Sequence, residues 1–140
     1  MNVNPSIFLS KNDYQALSLL LRAIKFSQGS ALKLKEELAR AIVLGSSEVP
    51  ADSVGLNSEV HLKDLDRGEV ETYILTLPSK ADPDRNRVSV LAPLGVALLG
   101  VRAGDLFEWY TPGGLRRLKA LEVCREQEKV ETHGPYSLTS

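Results

Sequence analysis

Val88–Asp105 reads VSVLAPLGVALLGVRAGD, and Thr111–Gly114 reads TPGG. Together these two stretches decide the fold. Val88–Leu91 has the alternating, β-branched character of a strand. Pro93 suits the first turn of a short helix, Leu94–Leu99, because the N–H it lacks would be unpaired there in any case. Gly100 ends that helix, and Gly104-Asp105 turns the chain into a further strand, Leu106–Tyr110. The Thr111–Gly114 turn then sends it back as a last strand, Leu115–Arg125. In that strand the apolar positions change phase between Leu118/Ala120 and Leu121/Val123, which predicts a β-bulge near Ala120.

Upstream, the apolar period is also two. Val54, Leu56, Val60 and Leu62 share one face, and Asn57, Glu59, His61 and Lys63 the other. Asp66-Arg67-Gly68 is a turn, Glu69–Leu77 a second strand ending at Pro78, and Lys80–Arg87 a polar loop. Before residue 46 the period changes to that of a helix. Ser10 and Asp13 fit a capping box, with Leu9 and Tyr14 placed as a hydrophobic staple. Tyr14, Leu17, Leu21 and Ile24 line one helix face. Phe26–Ser30 breaks the pattern, and Ala31, Leu34, Leu38 and Ala41 or Ile42 line a second helix that Gly45 is placed to end in the left-handed conformation.

The fold class is therefore α+β. Residues 1–45 are expected to form a short antiparallel helical hairpin, each arm about 22 Å long. Residues 46–53, which contain Pro50, read as a linker, and 54–125 as an antiparallel sheet domain with one short helix. Residues 126–140 are polar and are expected to be a flexible tail.

Bulk properties exclude several classes. With a net charge of −1 the chain has no global attraction to nucleic acid or anionic membrane. Charge is uneven: 1–45 carries six Lys/Arg against three Asp/Glu, and 46–140 eleven against fifteen. Cys124, the only cysteine, rules out an intrachain disulfide and a thiolate cluster, and reads as a half-buried structural thiol. Ile7–Leu9 is too short for the apolar core of a signal peptide, and no run nears the length needed to span a bilayer, so a cytoplasmic location is the expectation.

No catalytic constellation stands out. His61 lies on a polar strand face and His133 in the tail. Gly95, Gly100 and Gly104 match no phosphate-binding spacing. Asp82 and Asp84 lack the further ligands of a calcium loop. No catalytic residue, metal or cofactor is expected, and the chain reads as a non-enzyme.

Pro93, Ala97, Leu98, Leu99, Gly100, Gly104 and Asp105, followed by the Thr111–Gly114 turn, resemble the C-terminal domain of the Gre transcript-cleavage factors. Most of residues 10–125 is similar to the small Gre-related regulators of nucleoside diphosphate kinase. The resemblance implies an FKBP-like sheet domain, a short coiled-coil arm and RNA polymerase as partner, met at the rim of its secondary channel. In Gre factors acidic residues at the hairpin tip help hold a catalytic magnesium ion. From Tyr14 to Lys35 this chain has no Asp or Glu, but it has Arg22, Lys25, Lys33 and Lys35. A tip of that charge repels a divalent cation.

The loop by which Gre factors dock, typically Asp-Ser-Pro, corresponds to Leu91, Ala92 and Pro93. Proline is kept and the two polar residues are replaced by apolar ones. Candidate partner-binding residues are thus Leu91, Ala92 and Pro93 in the sheet domain, and Arg22, Lys25 and Gln28 in the arm. The bases equally fit a solvated helix face, and Leu91 equally fits the core.

The implied function is a non-enzymatic transcription regulator that competes with Gre-type factors without stimulating cleavage and without sequence-specific nucleic-acid binding. Two alternatives remain. One is a cleavage factor using Glu36 and Glu37. The other is a prolyl isomerase or peptide-binding module built on Tyr73, Phe107, Trp109 and Tyr110.

Overall fold

A computed structural model describes residues 6–24 and 29–125. Lys25, Gln28 and the 126–140 tail lie outside the described residues. Strand β1 (Phe8–Ser10) runs straight into helix α1 (Lys11–Ala23), and helix α2 (Ser30–Arg40) runs into strand β2 (Ile42–Leu44). Ser10 caps α1: its Oγ accepts from the Asp13 N–H at 3.1 Å. Leu17, Leu34 and Leu38 are buried, as the helical spacing requires.

Helix α2 stops earlier than the sequence suggests. Arg40 is its last residue, and Ala41 already has an extended backbone. The reason is the run Ile42-Val43-Leu44, whose branched side chains favour a strand. It pairs in parallel with β1, Phe8 against Ile42 and Ser10 against Leu44. Gly45 therefore does not terminate the helix. It lies beyond β2 and donates its N–H to Glu48 Oε1 at 3.1 Å.

The remaining strands are β3 (Glu59–Asp64), β4 (Val70–Thr76), β5 (Arg87–Ser89), β6 (Leu106–Thr111) and β7 (Gly114–Cys124), ordered β5-β4-β3-β7-β6 in one sheet. β3 begins at Glu59, later than the alternation from Val54 suggests. Residues 54–58 are held in a turn instead: the Gly55 N–H donates to Ser58 Oγ at 2.9 Å, and Asn57 adopts φ 67°. Val60 and Leu62 point inward, and Glu59, His61 and Lys63 take the other face. The β3–β7 register slips between His61 and Leu62, opposite Glu122 and Ala120, which makes Leu121 the extra residue of the bulge.

The sheet is not wholly antiparallel. β5 runs parallel to β4, Ile74 opposite Arg87 and Thr76 opposite Ser89. Between them Pro78 and Pro83 each open a single 3-10 turn, and Asn86 reverses the chain at φ 55°. These turns return the chain over the sheet edge, so β5 runs in the same direction as β4.

Helix α3 (Pro93–Leu98) lies on one face of the sheet with Leu94, Val96 and Leu98 buried. Gly95 permits the approach: a Cβ there would stand 1.9 Å from the Ser89 carbonyl oxygen. One apolar cluster joins Leu9, Leu17, Leu34 and Leu38 to Val60, Leu75, Leu98 and Ala120. The helical segment and the sheet therefore share a core.

Candidate docking surface

The loop before α3 is built by Ser89. Its Oγ accepts from the Leu91 N–H at 3.0 Å, and its carbonyl accepts from the Ala92 N–H at 2.9 Å. Ala92 then caps α3 with its backbone alone, its carbonyl accepting from the Val96 N–H at 3.0 Å. The result presents Pro93 to solvent, with Leu91 and Ala92 half-buried beside it. Leu91 also packs on the edge of the core. Ala92 borders a groove of about 320 Å³ lined by Tyr73, Ala81, Pro83 and Val88, which is largely apolar.

Arg22 belongs to a different surface. It projects from the last turn of α1 and lines, with Lys35 of α2, a cleft of about 390 Å³ between the two helices. Tyr14, Leu21 and Leu38 form the apolar part of that cleft. The loop and the cleft share no lining residue. The carboxylates of the cleavage alternative lie within α2, where Glu37 Oε2 pairs with Arg40 at 2.8 Å and Glu36 is exposed. Among the described residues no three His, Cys, Asp or Glu side chains converge to hold a metal ion.

The inner face of the sheet carries a charged cluster that the sequence reading passed over. Asp64 is buried, and its Oδ2 pairs with Arg116 at 2.7 Å. Its Oδ1 accepts the N–H groups of Asp66 and Arg67 at 2.9 and 3.1 Å. Burial raises the Asp64 pKa, but these amides and the guanidinium outweigh it, so the carboxyl sits below its ordinary value of 3.8. Arg116 also lies 5.9 Å from the centre of the Trp109 ring. Tyr73 donates to Glu71 Oε1 at 2.7 Å. Burial first, and the Glu71 carboxylate second, push its phenol up to about 12.

These side chains enclose only about 10 Å³ among Leu62, Leu94, Trp109 and Arg116. That is room for about one water molecule. An isomerase needs an open, aromatic-lined cleft for a prolyl ring. Tyr110 faces away, 75% exposed. The cluster was detectable in principle, because Asp64 falls in the inward phase of Val60 and Leu62.

The family model described as "Transcription elongation factor, GreA/GreB, C-term" matches residues 49–125. Over 135 residues the chain is 36% identical to a protein of Escherichia coli (strain K12) called "Regulator of nucleoside diphosphate kinase". The match covers 96% of this chain and 98% of that relative.

The chain belongs to the Gre-related regulators of nucleoside diphosphate kinase. Their kinship with Gre factors extends further. A "Transcription elongation factor GreA" of Clostridium botulinum (strain Eklund 17B / Type B) is 35% identical over 100 residues, covering 71% of this chain and 62% of that protein. A solved structure described as "Prokaryotic transcription elongation factor GreA/GreB from Nitrosomonas europaea" superposes with a TM-score of 0.77 at 36% identity. It matches 86% of this chain and 99% of its own, so this chain has a GreA/GreB-like fold. No helix among the described residues is long and apolar enough to cross a membrane.

Proposed function

We propose that this chain is a non-enzymatic transcription regulator that binds RNA polymerase in the cytoplasm, near the secondary channel, and competes there with Gre-type factors. The observation that carries this reading is the family match over nearly the whole chain, with the proline-led turn at Leu91–Pro93 beside it. The sheet domain, 54–125, which we take to be FKBP-like, supplies most of the docking energy through that loop. Apolar Leu91 and Ala92 replace a charged and a hydroxyl contact, so docking rests on burial. The two helices form a stubby hairpin, 1–45, joined to the sheet domain by the linker 46–53, that obstructs the channel mouth. No carboxylate falls between Tyr14 and Lys35, so the tip of the arm brings no carboxylate ligand for a magnesium ion. An effect on nucleoside diphosphate kinase levels is then indirect, through transcription.

The test combines tagged full-length chain, core polymerase and a Gre factor. The chain should retain polymerase at physiological salt, shorten no RNA 3′ ends on arrested complexes, and suppress Gre-stimulated cleavage as its concentration rises. Leu91→Lys should weaken retention. A chain that leaves polymerase unbound, or that cleaves by itself, refutes the proposal.

A further inference from the structure

β6 closes one edge of the five-stranded sheet. Its residues pair with β7 on one side, Leu106 against Lys119 through Thr111 against Gly114. Among the described residues, no backbone hydrogen bond from another element reaches its outer side. An edge of this kind presents unpaired N–H and C=O groups, and natural proteins commonly guard it with Lys, Pro or a bulge. β6 reads Leu-Phe-Glu-Trp-Tyr-Thr and has neither Lys nor Pro, and its pairing shows no register shift. Its outward face carries Tyr110 at 75% and Leu106 at 65% exposure, the two most exposed large apolar side chains among the described residues. Phe107 and Trp109 take the inner face and pack against the core.

We propose that β6 is a self-association surface, on which two copies of this chain pair antiparallel, edge to edge, about a two-fold axis through Glu108. The register follows from geometry. Residues directly opposite in an antiparallel pair lie on the same sheet face. An axis through Glu108 sets Leu106 beside the second copy's Tyr110, and Phe107 beside its Trp109. Symmetry makes each of these contacts twice. An axis through Trp109 sets Glu108 against Tyr110 and Phe107 against Thr111, and loses the apolar matches.

A second copy suits this edge better than an unrelated strand. The strand carries, at the right spacings, both halves of each apolar pair. The cost of the arrangement is the meeting of the two Glu108 side chains on the axis. Arg117, directly opposite Glu108 on β7, lies beside each of them. The contact is one strand wide, so the dimer is expected to be weak and dependent on concentration. The proposal does not rest on the polymerase reading.

Sedimentation velocity on the full chain over a wide concentration range tests it. The wild-type chain should pass from monomer to dimer as concentration rises. Glu108→Gln removes the like-charge contact and should move the midpoint to a concentration lower by up to roughly fivefold. Leu106→Lys with Tyr110→Lys should hold the chain monomeric with its thermal midpoint little changed. The β6 amides that point away from β7 should slow their hydrogen exchange only at concentrations where the dimer forms. A monomer at all concentrations, in wild type and Glu108→Gln alike, overturns the proposal. So does a dimer indifferent to residues 106, 108 and 110, or protection in the dilute monomer of the β6 amides that point away from β7, which would point to a cover from within the chain.

Discussion

Asp13, in the first turn of α1, accepts a hydrogen bond at 3.0 Å from the backbone N–H of Leu56, 43 residues further along. The chain comes so close there that a Cβ on Gly55 would stand 2.5 Å from Asp13 Oδ2. One carboxylate thus binds the start of the helical segment to the loop that leads into β3.

Replacing that carboxylate separates its charge from its shape. Asp13→Ala leaves the Leu56 N–H without this acceptor and should cost about 1–3 kcal/mol. Asp13→Asn keeps an acceptor oxygen and should lose less. Urea unfolding monitored by circular dichroism reads both. Equal losses would show that the bond to Leu56 is not what matters.

Gly95→Ala should be among the most damaging single changes in the chain. The added methyl would meet the Ser89 carbonyl at 1.9 Å, and backbone cannot yield as a side chain can. We expect a loss of about 3 kcal/mol or more and a displaced α3. Thermal unfolding reports the loss, and changed hydrogen exchange of the α3 amides would report the displaced helix. A variant with wild-type stability would contradict the close packing of α3 on β5.

Asp64 makes acid stability a specific readout. Its carboxyl is held below 3.8 in the folded protein, so its contribution is fully present above the unfolded value and is lost as pH falls through the folded one. Asp64→Asn should therefore be less stable than wild type at pH 7. The gap should close as pH falls below about 4. A gap that stays constant down to pH 2 would remove the ionised pair with Arg116 from the account.

Tyr73 behaves in the opposite sense at high pH. Its folded pKa is raised from 10.0 to about 12, so the unfolded chain releases this proton first. Wild-type stability should fall between those values more steeply than that of Tyr73→Phe. Phenolate absorbance should show one late-titrating tyrosine that the substitution removes. Glu71→Gln should bring that titration back toward 10.0.

Much of this architecture is written in local residue patterns. The helical spacing of Leu17, Leu34 and Leu38 and the turn residues around Pro93 and Gly100 each act within a few positions, so the sequence exposes them directly. The change of phase near Ala120 was legible because a bulge must move the buried side chains from one parity to the other. What escaped depends on partners distant in sequence. Ile42-Val43-Leu44 looks like the tail of a helix until β1 is beside it. The direction of β5 depends on how Pro78 and Pro83 carry the chain, not on the composition of the strand. The loop at Leu91–Pro93 was found through its resemblance to Gre factors, whereas the Asp64–Arg116 pair joins residues 52 apart and leaves only a misplaced acid on an inward strand position.

The parallel pairing of Phe8–Ser10 with Ile42–Leu44 gives the helical segment a base that closes on itself. Entry and exit are stitched together at the foot of the two helices, β1 ahead of α1 and β2 after α2, so whole turns added to or removed from both helices would leave the stitching untouched. Reach is thereby a separately adjustable dimension of this scaffold: a lengthened graft of the arm could keep the same footing on the sheet.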